Sequence, residues 1–396
     1  MRISTSAIYN ANISMLNQQQ AKLLHTQQQL ASGRRMLTPA DDPIASARAL
    51  EVTQSDATNT QYATNRNAAR HTASLSESIL QSVTSLLQDV RTTAVQAGGG
   101  ALTPYDKQTL ASALSGRLEE LKSLANSSDG QGNFLFSGYQ GRTQPFSNSV
   151  SGVQYMADDG QRMIQVSSSR QLAASDSGSD IFMRIKNGNG TFVARPASGN
   201  NGSGIASQGI VINPALLTGN NYQVNFTSTT TYNVINTTTS GTVSTGNAYI
   251  SGQAISFDGM QFDVSGAPAS GDSFTLTPST NESIFKTISD LITTLNTTSA
   301  TPATFSNNLS KALNMLDRGL DNVLTVRASL GSRLIELDAL QTTGEDIGLN
   351  YKTTLSQLQD VDYNKGISEL NQQQLSLTAA QKSFRQISDL SLFNYL

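Results

Sequence analysis

The sequence predicts a mainly α-helical protein with a β-rich insert, in which helices from the two chain ends pair as a coiled-coil or helical-bundle domain. Residues 1 to about 137 and about 282–396 have helical periodicity, whereas residues about 138–281 alternate as short strands and turns. The two ends also carry the same heptad-spaced stripe. The helical part must therefore be assembled from both ends of the 396-residue chain, around a central antiparallel β domain.

The stripe alternates apolar residues with glutamine at spacings of three and four residues. Near the N-terminus it comprises Ile13, Leu16, Gln20, Leu23, Gln27 and Leu30. Near the C-terminus it comprises Ile367, Leu370, Gln374, Leu377, Gln381 and Phe384. Polar seam residues weaken a coiled coil while fixing its register. We predict that both stripes form an assembly interface that is loose in the monomer; an ordinary amphipathic helix on a globular core is the alternative.

Capping residues predict where the N-terminal helices end and begin. Gly33 is the expected stop of the first helix. Asp42 is the expected N-cap of the next helix, and Pro43 is its expected first residue. This long helix runs to about Gln96. A run of glycines at residues 98–100 then interrupts the helical pattern.

The C-terminal flank predicts two helices and a joint before the last one. Helix resumes near Ile284, and a long helix runs from about Pro302 to about Val361. Residues 360–364 form the expected joint. The predicted inner face of the long helix comprises Phe305, Leu309, Leu313, Leu316, Leu320, Val323, Val326, Leu330, Leu334 and Leu337.

Strand signals predict that the insert is an antiparallel sandwich or barrel on the outside of the assembled protein. Tyr222, Val224 and Phe226 alternate with polar residues, as in a half-buried strand. Asp258-Gly259 between alternating apolar residues is typical of a two-residue hairpin turn.

Composition and residue types predict no catalytic residue, cofactor-binding residue, metal ligand or cofactor. The chain has no cysteine, which excludes disulfides and thiolate chemistry. Its two histidines, His25 and His71, fall on helix surfaces rather than in a ligand pattern. The neighbouring aspartates Asp41-Asp42 and Asp158-Asp159 are expected in capping and turn roles.

Charge and hydropathy exclude several partners. A net charge of -3 and a sparse N-terminal basic set do not favour nucleic acid. No apolar run is long enough for a membrane span, and the N-terminus lacks the apolar core of a general secretory signal peptide. We therefore expect no membrane partner, and export by another route if the chain leaves the cell.

Several ordered motifs resemble the family of bacterial flagellins and hook-associated proteins. Two flank motifs carry the family resemblance, and three further segments resemble the members at the junction of hook and filament. The segments are Leu30–Arg34 through Asp41–Pro43, Val326–Arg333, Gly132–Tyr139, Ser265–Phe274 and Ser391–Leu396. Residues about 150–250 match no family motif.

The resemblance implies a structural role and an arrangement in three domains. Residues 1–37 with 360–396 would form an inner tube of paired helices. Residues 38–137 with 282–359 would form a long-helix bundle, and residues 138–281 a β-rich outer domain. The implied role is a non-enzymatic structural adaptor of the flagellum, which joins a layer of hook-associated protein 1 to the flagellin filament.

The resemblance also implies partners and a route. The chain would leave unfolded through the flagellar type III export apparatus and assemble extracellularly at the distal tip, as a ring or helical layer of its own copies. A family export chaperone would hold the C-terminal helix before export. The residues implied for that contact are Leu377, Phe384, Ile387, Leu390, Leu392 and Phe393.

Two other functions stay open from the residues. One is a flagellin that forms the bulk filament, against which the terminal Ser391–Leu396 and the Gly271–Phe274 segment argue. The other is a secreted adhesin or enzyme with a helical stalk and a β-rich head.

Overall fold

A computed structural model describes residues 5–100, 102–297 and 300–389 of the chain. Long helices occupy both flanks, as the periodicity predicts. The α-helices are α1 (Thr5–Ser32), α2 (Pro43–Ala97), α3 (Pro104–Ala125), α4 (Ile284–Asn296), α5 (Pro302–Gln359) and α6 (Tyr363–Asp389).

The predicted helix boundaries are confirmed by their capping geometry. Gly33 follows α1 with φ of +70°, a left-handed conformation that glycine adopts without steric cost. The Asp42 carboxylate accepts a hydrogen bond from the Ala45 N–H at 3.0 Å, which caps α2. Thr103 and Asp106 exchange side-chain-to-backbone bonds at the start of α3, so this helix begins with a capping box.

The helical core is built from the apolar faces of α2, α3, α4 and α5. The predicted inner face of α5 is confirmed, since every second member of it is buried and the remainder are half-buried. The buried members recur every seven residues as Leu309, Leu316, Val323, Leu330 and Leu337.

The first part of the insert belongs to this helical core. The Phe146 ring lies 5.5 Å from the Phe182 ring and 5.1 Å from the Phe285 ring of α4, centroid to centroid. All three rings are essentially inaccessible to solvent. Aromatic contacts of this kind stabilise a fold by burial and by ring geometry, and they fasten the start of the insert to the helices.

The insert consists of short strands joined by turns. The strands are β1 (Phe146–Ser149), β2 (Gly152–Tyr155), β3 (Met163–Ser167), β4 (Arg170–Ala173), β5 (Ile185–Lys186), β6 (Phe192–Pro196), β7 (Ile205–Ala206), β8 (Ile210–Val211), β9 (Tyr222–Ser228), β10 (Thr231–Asn236), β11 (Gly241–Ala248), β12 (Ala254–Phe257), β13 (Met260–Ser265), β14 (Ser273–Pro278) and β15 (Asn281–Glu282).

Two antiparallel sheets form a sandwich, one of the two architectures the sequence left open. One sheet has the order β11-β10-β9-β14-β6, and the other has β12-β13-β7 with β8 also on β13. Tyr222, Val224 and Phe226 of β9 point into the shared core, as their alternation predicts. Asp258 and Gly259 have φ of 44° and 79°, so the predicted two-residue hairpin between β12 and β13 is confirmed.

The chain packs as two compact units, Met1–Thr64 with Ala339–Leu396 and Asn65–Asp338. Helices α2 and α5 contribute to both units. In the first unit the Asn59 side-chain amide donates to the Gly344 carbonyl at 2.8 Å. In the second unit the Arg327 guanidinium lies 2.7 Å from Glu77. Helices α2 and α5 therefore contact each other in each unit.

Asp272 organises one end of the sandwich. Its side chain is 2 % exposed and accepts backbone hydrogen bonds from Asn201 at 2.7 Å, Gly202 at 3.0 Å and Ala269 at 2.9 Å. Gly202 must lack a side chain, because a Cβ there would lie 2.4 Å from the Ala269 nitrogen. Asp272 belongs to the Gly-Asp pair of the motif that ends at Phe274, and the preceding Gly271 has φ of +91°, a conformation that favours glycine.

We expect Asp272→Asn to destabilise the sandwich by about 2 to 3 kcal/mol, because an amide N–H₂ would face backbone donors that now bond to a carboxylate. Hydrogen exchange of the β9 and β14 amides measures the effect. Asp263→Asn is the control, since the carboxylate of Asp263 accepts none of these backbone bonds. Equal exchange in the two variants would contradict the role of Asp272.

Candidate functional site

Helices α1 and α6 pair antiparallel, and two contacts establish their direction. The Tyr9 and Phe384 rings lie 5.3 Å apart between centroids. The Leu30 side chain lies against Gly366, where a Cβ would come within 2.8 Å of it. The start of α1 therefore lies beside the end of α6, and its end beside the start of α6.

The structure half-buries every apolar residue of the two predicted stripes except Ile367, and it leaves the four glutamines exposed. The half-buried members are Ile13, Leu16, Leu23, Leu30, Leu370, Leu377 and Phe384. The exposed members are Gln20, Gln27, Ile367, Gln374 and Gln381. As residues of an assembly interface, all of them remain a prediction.

The inward polar positions are one residue earlier than the sequence stripe. Gln19 is half-buried and Thr26 is buried on α1, and Gln373 is half-buried on α6. Successive helix residues are about 100° apart around the axis. Gln19 and Gln20 therefore lie on opposite sides of the stripe of Leu16, Leu23 and Leu30, and the apolar spacing alone does not choose between them. The partner helix makes that choice.

Two of the residues implied for the chaperone contact lie in the contact between α6 and α1. Leu377 is half-buried in the helix pair and Phe384 packs on Tyr9. The side chain of Ile387 and the residues Leu390, Leu392 and Phe393 lie outside the described residues.

The joints that follow α1 and precede α6 bond to each other as an antiparallel bridge. The Arg35 N–H donates to the Gln359 carbonyl at 2.7 Å, and the Val361 N–H donates to the Gly33 carbonyl at 2.9 Å. The sequence predicts a helix stop at Gly33 and a joint at residues 360–364, and the structure brings the two segments together. Their contact holds the ends of α1 and α5 side by side.

Asp41 closes the turn after α1. Its carboxylate accepts backbone hydrogen bonds from Leu37 and Thr38, each at 2.8 Å. The Thr38 and Leu37 N–H groups hold the pKa of Asp41 below the ordinary value of 3.8. The turn role predicted for Asp41 is confirmed.

The heptad position of His25 predicts a side chain that only faces solvent. In the structure this side chain also makes a contact. Its Nε2 lies 3.2 Å from Asp41 Oδ1, which ties α1 to the turn. No local sequence pattern links residues 25 and 41, so only the folded turn reveals the pair.

Asp42 combines its cap with an ion pair. The Ala45 N–H, followed by the Arg35 side chain, holds the pKa of Asp42 below the ordinary value of 3.8. Arg35 also donates to the Leu358 carbonyl at 2.9 Å. Arg35 thus connects the cap of α2 to the end of α5.

The second unit contains a pocket in which cationic side chains lie beside carboxylates. A pocket of about 450 Å³ lies between β6, β7 and α5, and no histidine lines it. Its Lys311 and Arg195 lie 3.1 and 3.8 Å from the same Glu282 carboxylate, and Lys311 also lies 3.5 Å from Asp290. The described residues contain no group of three or more potential metal ligands and no helix able to cross a membrane.

We expect the side-chain carboxyl carbon of Asp41 to titrate with a midpoint below pH 3.8, as followed by carbon NMR of the intact chain. Because its folded pKa is depressed, the turn gains stability that is present above pH 3.8 and is lost as the pH falls through the lower folded pKa. Asp41→Asn should remove this titration and increase exchange at residues 37–41. A midpoint at or above 3.8 would show that the two N–H bonds do not form.

Two family models match the chain. The N-terminal helical region of bacterial flagellin matches residues 3–141. The D2-like domain of flagellar hook-associated protein 1 matches residues 197–278, which span most of the sandwich.

Full-length relatives agree with both matches. Flagellar hook-associated protein 3 of Salmonella typhimurium is 30% identical over 99% of both chains. The crystal structure of flagellar hook-associated protein 3 from Legionella pneumophila has a TM-score of 0.74 at 33% identity and covers 78% of this chain and 98% of its own. A second Legionella pneumophila structure, described as the flagellar junction protein, has a TM-score of 0.71 at 33% identity over 79% of this chain and 100% of its own. The chain therefore belongs to the family of flagellar hook-associated protein 3, structural components of the bacterial flagellum.

Proposed function

We propose that this protein is the extracellular structural adaptor that joins the hook-associated protein 1 layer to the flagellin filament. The observation that carries the proposal is the pairing of α1 and α6 from opposite chain ends in a chain that aligns with hook-associated protein 3 over 99% of its length. A helix pair formed from both ends of the chain gives each subunit one rod-like element, which can repeat side by side in a tubular layer.

Exposed apolar side chains of the first unit support assembly. They are Met15, Leu24, Ile44, Leu50, Ile347, Leu349, Ile367 and Leu375, and Ile44 and Leu375 are each 72% exposed. These side chains lie on α1, α2, α5 and α6, and burial against a neighbouring subunit would remove them from water. We infer that copies of this chain cover these residues in a ring or helical layer.

The matched family models support two different neighbours. The N-terminal helices resemble flagellin, and the sandwich resembles a domain of hook-associated protein 1. A chain that carries features of both can contact a layer of each kind. We place hook-associated protein 1 on the hook side and flagellin on the filament side.

We also infer the three-layer division for the assembled protein. Residues 1–37 with 360–396 would line the inner tube, residues 38–137 with 282–359 would form the next shell, and residues 138–281 would face outward. The joints at residues 33–35 and 359–361 lie at the boundary between the first two layers.

The route to the tip follows from the same family. We infer that the chain is exported unfolded by the type III apparatus and that a cytoplasmic chaperone covers α6 beforehand. Leu377 and Phe384 support this, because they leave an apolar face on α6 whenever α1 is not paired with it. The chaperone and α1 would then use one face in succession.

We expect deletion of the gene to give bare hooks and secretion of unpolymerised flagellin, because filament subunits would lack their attachment layer. Electron microscopy of the cells and analysis of the culture supernatant measure both. The intact gene supplied on a plasmid is the control. Normal filaments on the deleted strain would contradict the adaptor function.

We expect Leu377→Asp with Phe384→Asp to abolish filament attachment or chaperone binding, because two charges would be buried against α1 or the chaperone. Motility and chaperone co-purification are the measurements, and exchange of the β9 amides checks that the insert still folds. Ser376→Asp with Ser383→Asp is the control, since both serines are exposed one residue earlier on α6. Normal motility in the first variant, or loss in both, would show that this face is not specifically required.

A further inference from the structure

The sandwich contains a long segment without a charged side chain. Residues 196–257 include no aspartate, glutamate, lysine, arginine or histidine, whereas about a quarter of the residues of an average globular protein are charged. The segment includes strands β7 to β12. A surface without charges does not repel an identical surface electrostatically, so this part of the protein is suited to contact between copies of the chain.

Three exposed aliphatic side chains lie beside the hairpin between β12 and β13. Ile210, Ile212 and Leu216 are 60%, 51% and 57% exposed. Ile210 pairs with Gln261, the Ile212 N–H donates to the Gly259 carbonyl at 2.9 Å, and a Cβ at Gly259 would lie 3.2 Å from the Cβ of Leu216. Single apolar side chains are ordinary on a surface, but three beside one turn form an apolar patch that a partner can bury.

Strand β11 offers a second uncharged surface, at the edge of the five-stranded sheet. It pairs only with β10, so the main-chain groups of its outer side have no strand partner. Apart from register irregularities around Val234, the strand lacks the charges and prolines by which proteins protect such edges from another chain. Val243 on this strand is 38% exposed. The β11 edge can therefore accept a further strand or an apolar surface.

The β11 edge and the apolar patch lie on opposite edges of the sandwich. The five-stranded sheet has β11 at one edge and β6 at the other, and β7 and β8 pair with β13 on the side away from β12. Strands β6 and β7 contact each other, so β6 and β8 share one edge of the sandwich. Complementary surfaces on opposite edges join copies head to tail, and such contacts close into rings or continue as helices.

We propose that the β11 edge of one copy packs against the patch of Ile210, Ile212 and Leu216 on the next copy, so that the sandwiches form a continuous row within the assembled layer. This contact rests on the proposed function, which places copies side by side. It uses residues other than the exposed apolar side chains of the first unit. Because neither surface is charged, apolar burial and main-chain bonds at the strand edge stabilise the contact, and ion pairs do not.

The first experiment uses the absence of cysteine from the chain, since introduced thiols then report only on the chosen positions. Hook–filament complexes are isolated from cells that carry Ile212→Cys with Val243→Cys and are treated with a short bifunctional thiol cross-linker. We expect a series of multimers of this chain on a denaturing gel. Each single variant should give none, because a head-to-tail contact joins two different positions.

Ile212→Cys with Thr229→Cys is the matched control, since Thr229 is exposed in the turn between β9 and β10. No multimers from the first pair, equal multimers from the control pair, or dimers from a single variant would overturn the proposal. Absence of the chain from the isolated complexes would instead disprove the adaptor function, and this contact with it.

The second experiment exchanges charges across the contact. Ile212→Asp with Val243→Asp places two carboxylates against each other, and we expect loss of filaments from sheared cells. Ile212→Lys with Val243→Asp places opposite charges at the same positions and should restore attachment. Hydrogen exchange of the β14 amides checks that the two variants fold alike. Loss of filaments in both variants, or normal attachment in both, would contradict the contact.

Discussion

The backbone bonds between residues 33–35 and 359–361 are the contact on which the terminal helix pair depends. Arg35 and Leu358 lie 323 residues apart in the sequence, so chain entropy alone opposes their meeting. Contacts of α2 with α5 offset that cost, because the seven-residue apolar repeat of α5 and the Arg327–Glu77 pair hold the long helices together. Once the long helices are held together, the joint sets the directions of α1 and α6 through short hydrogen bonds, a glycine with positive φ and two capped turns.

Polarity at the seam distinguishes the terminal pair from the core beneath it. The core of α2, α3, α4 and α5 is mostly apolar, with a few buried polar residues such as Thr84 and Asn314. The α1–α6 seam includes Gln19, Thr26 and Gln373. A helix pair of this composition gains little from burial and loses some of that gain to unpaired amide atoms. The difference in composition agrees with the prediction that the α1–α6 pair is loose in the monomer.

The insert combines two structural roles. Its first strands and the Phe146 and Phe182 rings complete the helical core, so they serve the flank rather than the sandwich. The sandwich has its own core and is closed at one end by Asp272, whose carboxylate joins the residue 201–202 loop to the turn before β14. The motif at Gly132–Tyr139 thus leads into the part that joins the helical core, and the motif at Ser265–Phe274 contains the aspartate that closes the sandwich.

Local patterns by themselves determined the helices, their caps and the flagellar family, because periodicity, Gly33, Asp42-Pro43 and the ordered motifs act over a few residues. The same patterns determined the β9 alternation and the Asp258-Gly259 turn. Only the tertiary structure decided that Gln19 and Gln373, rather than Gln20 and Gln374, face the seam, because these neighbouring positions lie on opposite sides of the apolar stripe and only the partner helix chooses between them. Only it paired His25 with Asp41, joined residue 35 to residue 359 and chose a sandwich over a barrel, since each of these depends on segments far apart in the chain that the fold brings together.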